Sequence, residues 1–513
     1  MMSTFMGLET SKRGLFTQQT ALYTTGHNIS NANTLGYSRQ RVNMEATAGF
    51  PGVGLSAGTM PGFLGTGVQA SSIQRIRDGF VDQQYRGESN KLGYWETRSN
   101  AISQMEDVLA EPSAYGLQKT LSEFWSSLQG LATNPENGGA RAVVVQNGSA
   151  VVDSFNHMHK SLTEIKTNLG KEIGFSSKDI NSILEQIGDL NRQISEIEPN
   201  GYMPNDLYDA RDMLLDELST YVPIETSYEK SGGRALAIAE GTVTVKIKTN
   251  GEPITVVAGK DFSKITVDGA DIEGNPTGPM TGFTFTGGPA AGKNISVDNM
   301  QIAGKLKSLV NSFGYDNGTP DGKGLYPDMI AELNKMAEAF AKEFNDVHKG
   351  GTDLEGKTGE EFFVAKDGGI ITAANINVNQ IIIDDPKKVA ASDSEQTDPV
   401  TPEVGNGKNA QKLSDVQFKA IDLLGKSTIQ TYFSGVVGKL GVEGQQAVKL
   451  TFNTATLLGA VSNRRDSISS VSLDEEMTDM IRFQQAYNAS ARMITVVDET
   501  LDKIINGMGI AGR

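Results

Sequence analysis

Residues 473–508 read LDEEMTDMIRFQQAYNASARMITVVDETLDKIINGM, and their periodicity decides how the end of this chain is built. Leu473, Met480, Tyr487, Ile494, Leu501 and Met508 recur every seventh residue. That spacing lays side chains in one row along a helix that docks against a neighbour. Met477, Ala491 and Ile505 partly fill a second row, which Gln484 and Asp498 interrupt. Ser472 stands at the N-cap position, Asp474, Glu475 and Glu476 oppose the positive end of the dipole, and Gly507 and Gly509 supply the stop. The 37 residues from Ser472 on predict a rod of about 55 Å at ~1.5 Å per residue.

The first residues mirror the last. Leu8, Leu15, Leu22 and Ile29 recur at the same interval over a helix predicted from Thr4 to Ile29, with Phe5 beside them. Lys12, Gln19 and Gly26 occupy the companion row, so half a seam is present. Such a helix is marginal alone and takes its order from a partner. Between the ends, residues 78–110, 116–133 and 138–198 read as helices, the third broken by Gly148, Gly170 and Gly188. A further helix over about 205–219 stops before Pro223. From Tyr221 to Asp298 the pattern alternates: Val243, Val245 and Ile247 interleave with Thr and Lys, and Asn250-Gly251 marks a hairpin turn. Helices return at 301–313 and 327–348, Asn375–Ile383 reads as a strand, 407–459 as helical, and the polar stretch Ser392–Lys408 as a loop. The class is α+β, mainly helical, with a small antiparallel β unit enclosed.

Bulk properties narrow the function. A chain of 513 residues implies several folding units. Its net charge of −16 opposes nucleic acid as a partner, and its apolar runs are too short to span a bilayer. The N-terminus lacks a basic segment leading into an apolar core, so no cleaved signal peptide is expected. With no cysteine and only four histidines, thiol chemistry and Cys-ligated metals are excluded and no cofactor is expected. Leu424-Gly-Lys-Ser-Thr428 ends like a phosphate-binding loop but has Ala420 where the first glycine belongs; it reads as a helix start capped by Ser427. His157 and His159 lie two apart in a helical region, which puts them on different faces. Gly435, Gly438, Gly441 and Gly444 suit close helix packing or a loose turn better than a nucleotide loop. No catalytic or metal-ligating set stands out.

Residues 28–41, Asn-Ile-Ser-Asn-Ala-Asn-Thr-Leu-Gly-Tyr-Ser-Arg-Gln-Arg, are different. Asn28, Asn31 and Asn33 can bond their own backbone and Gly36 tolerates a left-handed turn, so the first helix ends in a defined reversal. Tyr37, Ser38, Arg39 and Gln40 then present polar side chains, the arginine being suited to bidentate pairing. An ordinary solvated turn remains the alternative on local chemistry.

This segment resembles the N-terminal signature of the flagellar rod, hook and hook-associated proteins, and Ser38-Arg39-Gln40 resembles the hook-associated branch more than rod or hook subunits. Three inner stretches are similar to the same family: Asn205-Asp-Leu-Tyr-Asp-Ala-Arg-Asp-Met-Leu-Leu-Asp-Glu-Leu218, Phe340-Ala-Lys-Glu-Phe-Asn-Asp-Val-His348 and Asn406-Gly-Lys-Asn-Ala-Gln-Lys-Leu413. So is Leu473–Tyr487 at the C-terminal end.

The resemblance implies paired terminal helices, residues 1–35 and 472–513, forming an inner coiled-coil-like domain around an axial channel. It implies a helical outer domain from 36–220 and 301–471, with the β unit at 221–300 and a short loop and strand insertion at 364–405. The implied function is a structural, non-enzymatic subunit of the hook–filament junction. Such a subunit is exported unfolded by the flagellar type III apparatus after a cytoplasmic chaperone has bound its C-terminal region. The implied partners are copies of itself in a ring, hook protein, and the next hook-associated junction protein. Assembly is expected through the two seven-residue rows, with Tyr37, Arg39 and Gln40 touching a neighbouring subunit or the outer domain. Many relatives carry a large β insertion after the segment matching Glu361-Phe-Phe363; here about 40 residues separate Phe363 from Asn406, so that domain should be reduced or absent. Hook protein is the nearest alternative, and a flagellum-borne enzyme or adhesin stays open on the residues.

Overall fold

The computed structural model describes residues 4–49, 65–109, 116–320, 322–395 and 402–507. In chain order these are α1 (Thr4–Ser30), β1 (Gln40–Ala46), β2 (Val68–Arg75), α2 (Gly79–Val108), α3 (Leu117–Thr133), α4 (Gly138–Ile197) and α5 (Asn205–Tyr221). Next come β3 (Ile224–Glu229), β4 (Thr242–Ile247), β5 (Ile254–Ala258), β6 (Asp261–Phe262), β7 (Lys264–Val267), β8 (Gly282–Thr286) and β9 (Asn294–Ser296). Then follow α6 (Gly304–Phe313), α7 (Leu325–Lys349), β10 (Phe363–Ala365), β11 (Ile376–Val378) and α8 (Gln380–Asp384). The chain closes with α9 (Lys408–Asp415), α10 (Ile429–Ser469) and α11 (Leu473–Asp502). The fold is mainly helical α+β, with long helices at both ends. No described helix is long and apolar enough to cross a membrane.

The body is organised by α4, 60 residues long and therefore ~90 Å from end to end. Asn137 caps it, accepting from the N–H groups of Gly139 and Ala140. Its first half packs with α3 and α7 around an aromatic core of Phe124, Trp125, Phe155, Phe340, Phe344, Phe362 and Phe363. The glycines expected to break α4 instead admit close neighbours: a Cβ at Gly148 would lie 2.8 Å from Phe362, and one at Gly188 3.0 Å from Phe262. Gly costs a helix ~1 kcal/mol, and here closer packing offsets that loss.

The second half of α4 carries the β unit as two antiparallel sheets, ordered β3-β4-β5-β6 and β7-β8-β9. Two asparagines dock them by completing strand backbone bonds. The Asn191 amide donates to the carbonyls of Val243 and Gly259 and accepts from the Val243 N–H, and Asn181 does the same with Ile265.

Several local expectations change. The strand expected over 375–383 is β11 followed by α8. The helix expected over 407–459 is two helices separated by residues 416–428, where Gly425 and Lys426 take left-handed φ of 67° and 62°. Thr428, not Ser427, caps α10, accepting from the Thr431 N–H at 3.2 Å. Residues 40–46 and 68–75, which the sequence reading put in the helical outer domain, are the antiparallel strands β1 and β2; they lie along α1, where Thr17 donates to the Val68 carbonyl at 3.1 Å. The end of the last helix is α11 plus one π-helical turn, Lys503–Gly507; Met508 and Gly509 lie outside the described residues. Part of the Ser392–Lys408 loop, 396–401, also lies outside them.

One core residue titrates in an accessible window. His348 is fully buried; its Nε2 accepts from the Ala390 N–H at 2.9 Å, which leaves Nδ1 to donate to the Glu360 carbonyl at 2.6 Å. Burial lowers its pKa to about 4. The folded state holds this ring neutral while the unfolded chain, with an ordinary value near 6.5, takes up a proton. Stability from this group is therefore complete above about pH 6.5 and falls as pH drops toward about 4, by roughly 3 kcal/mol in total. Urea midpoints at pH 7, 5 and 4 should fall more steeply for the native chain than for His348→Gln; equal slopes would refute the assignment.

Candidate functional site

The terminal helices run antiparallel in a fixed seven-residue register. A Cβ on Gly7 would lie 3.9 Å from Val497, one on Gly14 3.2 Å from Ser490, and Asn28 donates to Glu476 at 3.0 Å. Each pair is seven or fourteen residues from the next in both helices, a coiled-coil repeat made with small side chains at closest approach. The rows shielded on α11 are Glu476, Phe483, Ser490, Val497 and Met480, Tyr487, Ile494, Leu501. The second of these is the row read from the sequence, with Leu473 exposed at its start. Its companion lies three residues further on rather than four: Met477 is exposed and Glu476 takes that place. On α1 the row Leu8, Leu15, Leu22 and Ile29 is half-buried, one residue beyond Gly7, Gly14, Ala21 and Asn28.

The turn after α1 joins this pair to the body. Asn28 is its hub: Oδ1 accepts from the Gln40 N–H at 3.0 Å and the Tyr37 hydroxyl at 2.8 Å, while Nδ2 donates to the Gln40 carbonyl at 2.8 Å. Burial, with Asp206, Asp209 and Glu476 nearby, pushes the Tyr37 hydroxyl well above its ordinary pKa, so it stays a donor. Asn31 closes the helix end by donating to the His27 carbonyl, and Thr34 donates to Asn31. Asn33 is exposed. Gly36 has φ +79°, which favours glycine, and a Cβ there would meet the Met213 side chain at 2.2 Å and push it aside. The Ser38 N–H donates to Asp209 at 3.1 Å, and the Gln40 amide bonds Asp206 and Asn205 at 3.1 Å each. Arg39 pairs with Glu476 at 2.7 Å and Glu475 at 2.6 Å. Ser472 forms no side-chain cap bond, and these first-turn acids serve Arg39 as well as the dipole. The turn residues thus meet the body and terminal helix of their own chain.

Beneath the turn lies a buried ion network that sequence reasoning missed. Asp212 accepts from Arg75 at 3.0 Å, Arg77 at 2.9 Å and Arg86 at 3.2 Å. Asp209 holds Arg75 at 2.6 Å; Asp216 holds Arg86 at 2.7 Å and Arg465 at 2.6 Å; Glu240 holds Arg75 and, at 2.8 Å, Arg211. Burial alone would raise the Asp212 carboxyl, but Arg77, Arg75, Arg86 and Arg211 together hold it well below the ordinary range. For Asp209 burial wins and the carboxyl is pushed up despite Arg75. Two signals were available: Asp209, Asp212 and Asp216 share one face of α5 at three- and four-residue spacing, and Arg75 and Arg77 share one side of an extended segment.

Beside the network a cleft of about 850 Å³ opens between the turn, α5, α4 and the end of α10, with Tyr37, Met213, Leu214, Gln193 and Ser462 among its lining. Its two arginines, Arg77 and Arg465, are already held by Asp82, Asp212 and Asp216. Among the described residues no group of three His, Asp or Glu side chains is arranged to hold a metal ion. What the geometry offers is a charged and hydrogen-bonded joint between the body and a pair of terminal helices that carry apolar rows.

Residues 102–363 match the family model described as the flagellar hook-associated protein FlgK helical domain, and residues 465–507 match the flagellar basal body rod FlgEFG protein C-terminal model. The chain is 44% identical to flagellar hook-associated protein 1 of Bacillus subtilis (strain 168), covering 100% of both chains. It is 25% identical to flagellar hook-associated protein 1 of Escherichia coli (strain K12), over 96% of this chain and 98% of that one. The flagellar hook junction protein FlgK from Burkholderia pseudomallei shares the fold at a TM-score of 0.59 and 13% identity, over 76% of this chain and 100% of that structure. With its ends, its helical middle and its full length all similar to the same proteins, the chain belongs to the flagellar hook-associated protein 1 family.

Proposed function

We propose that this protein is a structural, non-catalytic subunit of the bacterial flagellum that forms the hook–filament junction through its terminal helices. The observation that carries this reading is what those helices leave uncovered. Phe16 and Tyr23 on α1, and Met477, Ile481, Met493 and Val496 on α11, stay exposed after the two helices have paired. Exposed apolar side chains in such rows fit burial by neighbouring subunits. The α1–α11 pair with its hairpin forms the inner module, residues 79–469 form the outer body, and the β unit and the 364–405 segment are outer elaborations. Copies of the chain would ring the axis, with hook protein on one side and the next junction protein on the other. Export before folding, with a chaperone at the C-terminal region, accounts for a chain whose ends must stay unassembled in the cell.

Deleting the gene should give cells with hooks but no filaments and with flagellin lost to the medium; normal filaments would refute the junction role. Limited proteolysis of the purified monomer should trim both ends inward to the joint before cutting the body. Protected ends in a verified monomer would show that the pair is stable without neighbours.

A further inference from the structure

The inner module and the body are joined by two stretches of backbone, Ile76–Asp78 after β2 and Ser470–Ser472 before α11. Arg39 bonds both. Its N–H donates to the Ser469 carbonyl, the last of α10, at 2.8 Å, and its carbonyl accepts from the Ile76 N–H at 2.8 Å. Its guanidinium then reaches across to α11, through Nε to Glu476 and through one terminal nitrogen to Glu475. Four segments that could otherwise turn independently meet at this residue.

Glu476 makes the arrangement exacting. It is 2% exposed, while the other residues of α11 are at least partly open to solvent. One carboxylate oxygen takes Arg39 and the other takes Asn28 of α1. A carboxylate buried this far needs its counter-charge. If Arg39 is lost, the charge must be hydrated, and hydration requires α11 to swing away from the turn. The ion pair therefore separates two arrangements: helices held at one angle to the body, or helices free at their root.

We propose that Arg39 and Glu476 are positioning residues for assembly, a latch fixing the direction in which the terminal helices leave the body. Seating the helices in the axial structure then also places the outer body. This consequence rests on the assembly reading above, but the latch itself is a property of the isolated chain.

The absence of cysteine makes the test direct. Thr478→Cys on the first turns of α11 and Lys171→Cys on α4 place two spin labels at exposed positions on either side of the joint. Pulsed electron resonance should give one narrow distance in the otherwise native chain. Arg39→Gln strands the buried carboxylate and should at least double the width of the distribution, and Arg39→Lys should broaden it less. Glu476→Gln keeps the shape and the bond to Asn28 and removes the buried charge, while Arg39 keeps Glu475; it loosens the joint and should broaden the distribution less than Arg39→Gln. The double variant Arg39→Gln/Glu476→Gln should be no broader than the worse single one, because each single change already breaks the same pair. Native widths in both single variants, with unchanged circular dichroism, would overturn the latch. If Glu476→Gln does not fold, Arg39→Gln alone decides by the same criterion. Broad distances alongside normal filaments in the deletion strain would leave the latch standing and remove the assembly reading; narrow distances with lost filaments would do the reverse.

Discussion

Replacing Asp212 with alanine is expected to destabilise the body by roughly 3–5 kcal/mol, the cost of leaving buried charges without their partner. Asp212 is the carboxylate shared by Arg75, Arg77 and Arg86, whose side chains are 3%, 13% and 9% exposed. None can turn to water without disturbing β2, α2 or α5. Asp212→Asn should cost less, since the amide oxygen can still accept, but it leaves net positive charge in the same enclosure. Urea unfolding followed by circular dichroism measures both. Glu164→Gln, which removes the exposed pair with Lys160, is the control and should leave the midpoint unchanged. A midpoint for Asp212→Ala equal to the control's would mean that the arginines find other partners.

The second large effect concerns assembly. Ile494→Asp puts a carboxylate into the half-buried row of α11 that faces α1. Its body-side neighbours are unaffected, because the aromatic core and the ion network lie elsewhere. The variant should be exported and should unfold at the native urea midpoint, yet filament number and swimming should fall to near the level of the deletion strain. Export of the variant with normal filaments would show that this row is not an assembly seam.

How much of this could be read beforehand depended on whether the signal was periodic or spatial. The rows through Leu8 and Leu473 were legible because seven-residue recurrence of apolar side chains has few other causes. Which companion row meets the partner was not, because that row alternates Phe483 and Val497 with Glu476 and Ser490 and meets Gly7 and Gly14 on α1, so its hydrophobic signal is only half present. The β1–β2 hairpin was missed for a similar reason: Gln40–Ala46 lies on α1 by one side only, and its polar residues alternate with little contrast. In α4, glycine was read as a breaker because local propensity is all a sequence displays; Phe362 and Phe262, far along the chain, convert those positions into contact points. The turn motif was visible as chemistry, and the resemblance marked it as special. Its partners, Asp206, Asp209 and Glu476, could only be assigned once the chain had been brought together.

The register of the terminal helices also fixes an order in time. Asn28 and Glu476 touch across 448 residues of sequence. Delivered from its N-terminus, whether from a ribosome or through a channel, α1 emerges first and waits for nearly the whole chain before its partner arrives. The contacts that organise α4, α5 and the β unit can close in the interval, over much shorter loops. The inner module is thus the last part able to complete itself, and its completion reports that a full-length chain has been delivered. A truncated chain could build much of a body but never the pair, and would have nothing with which to join the structure.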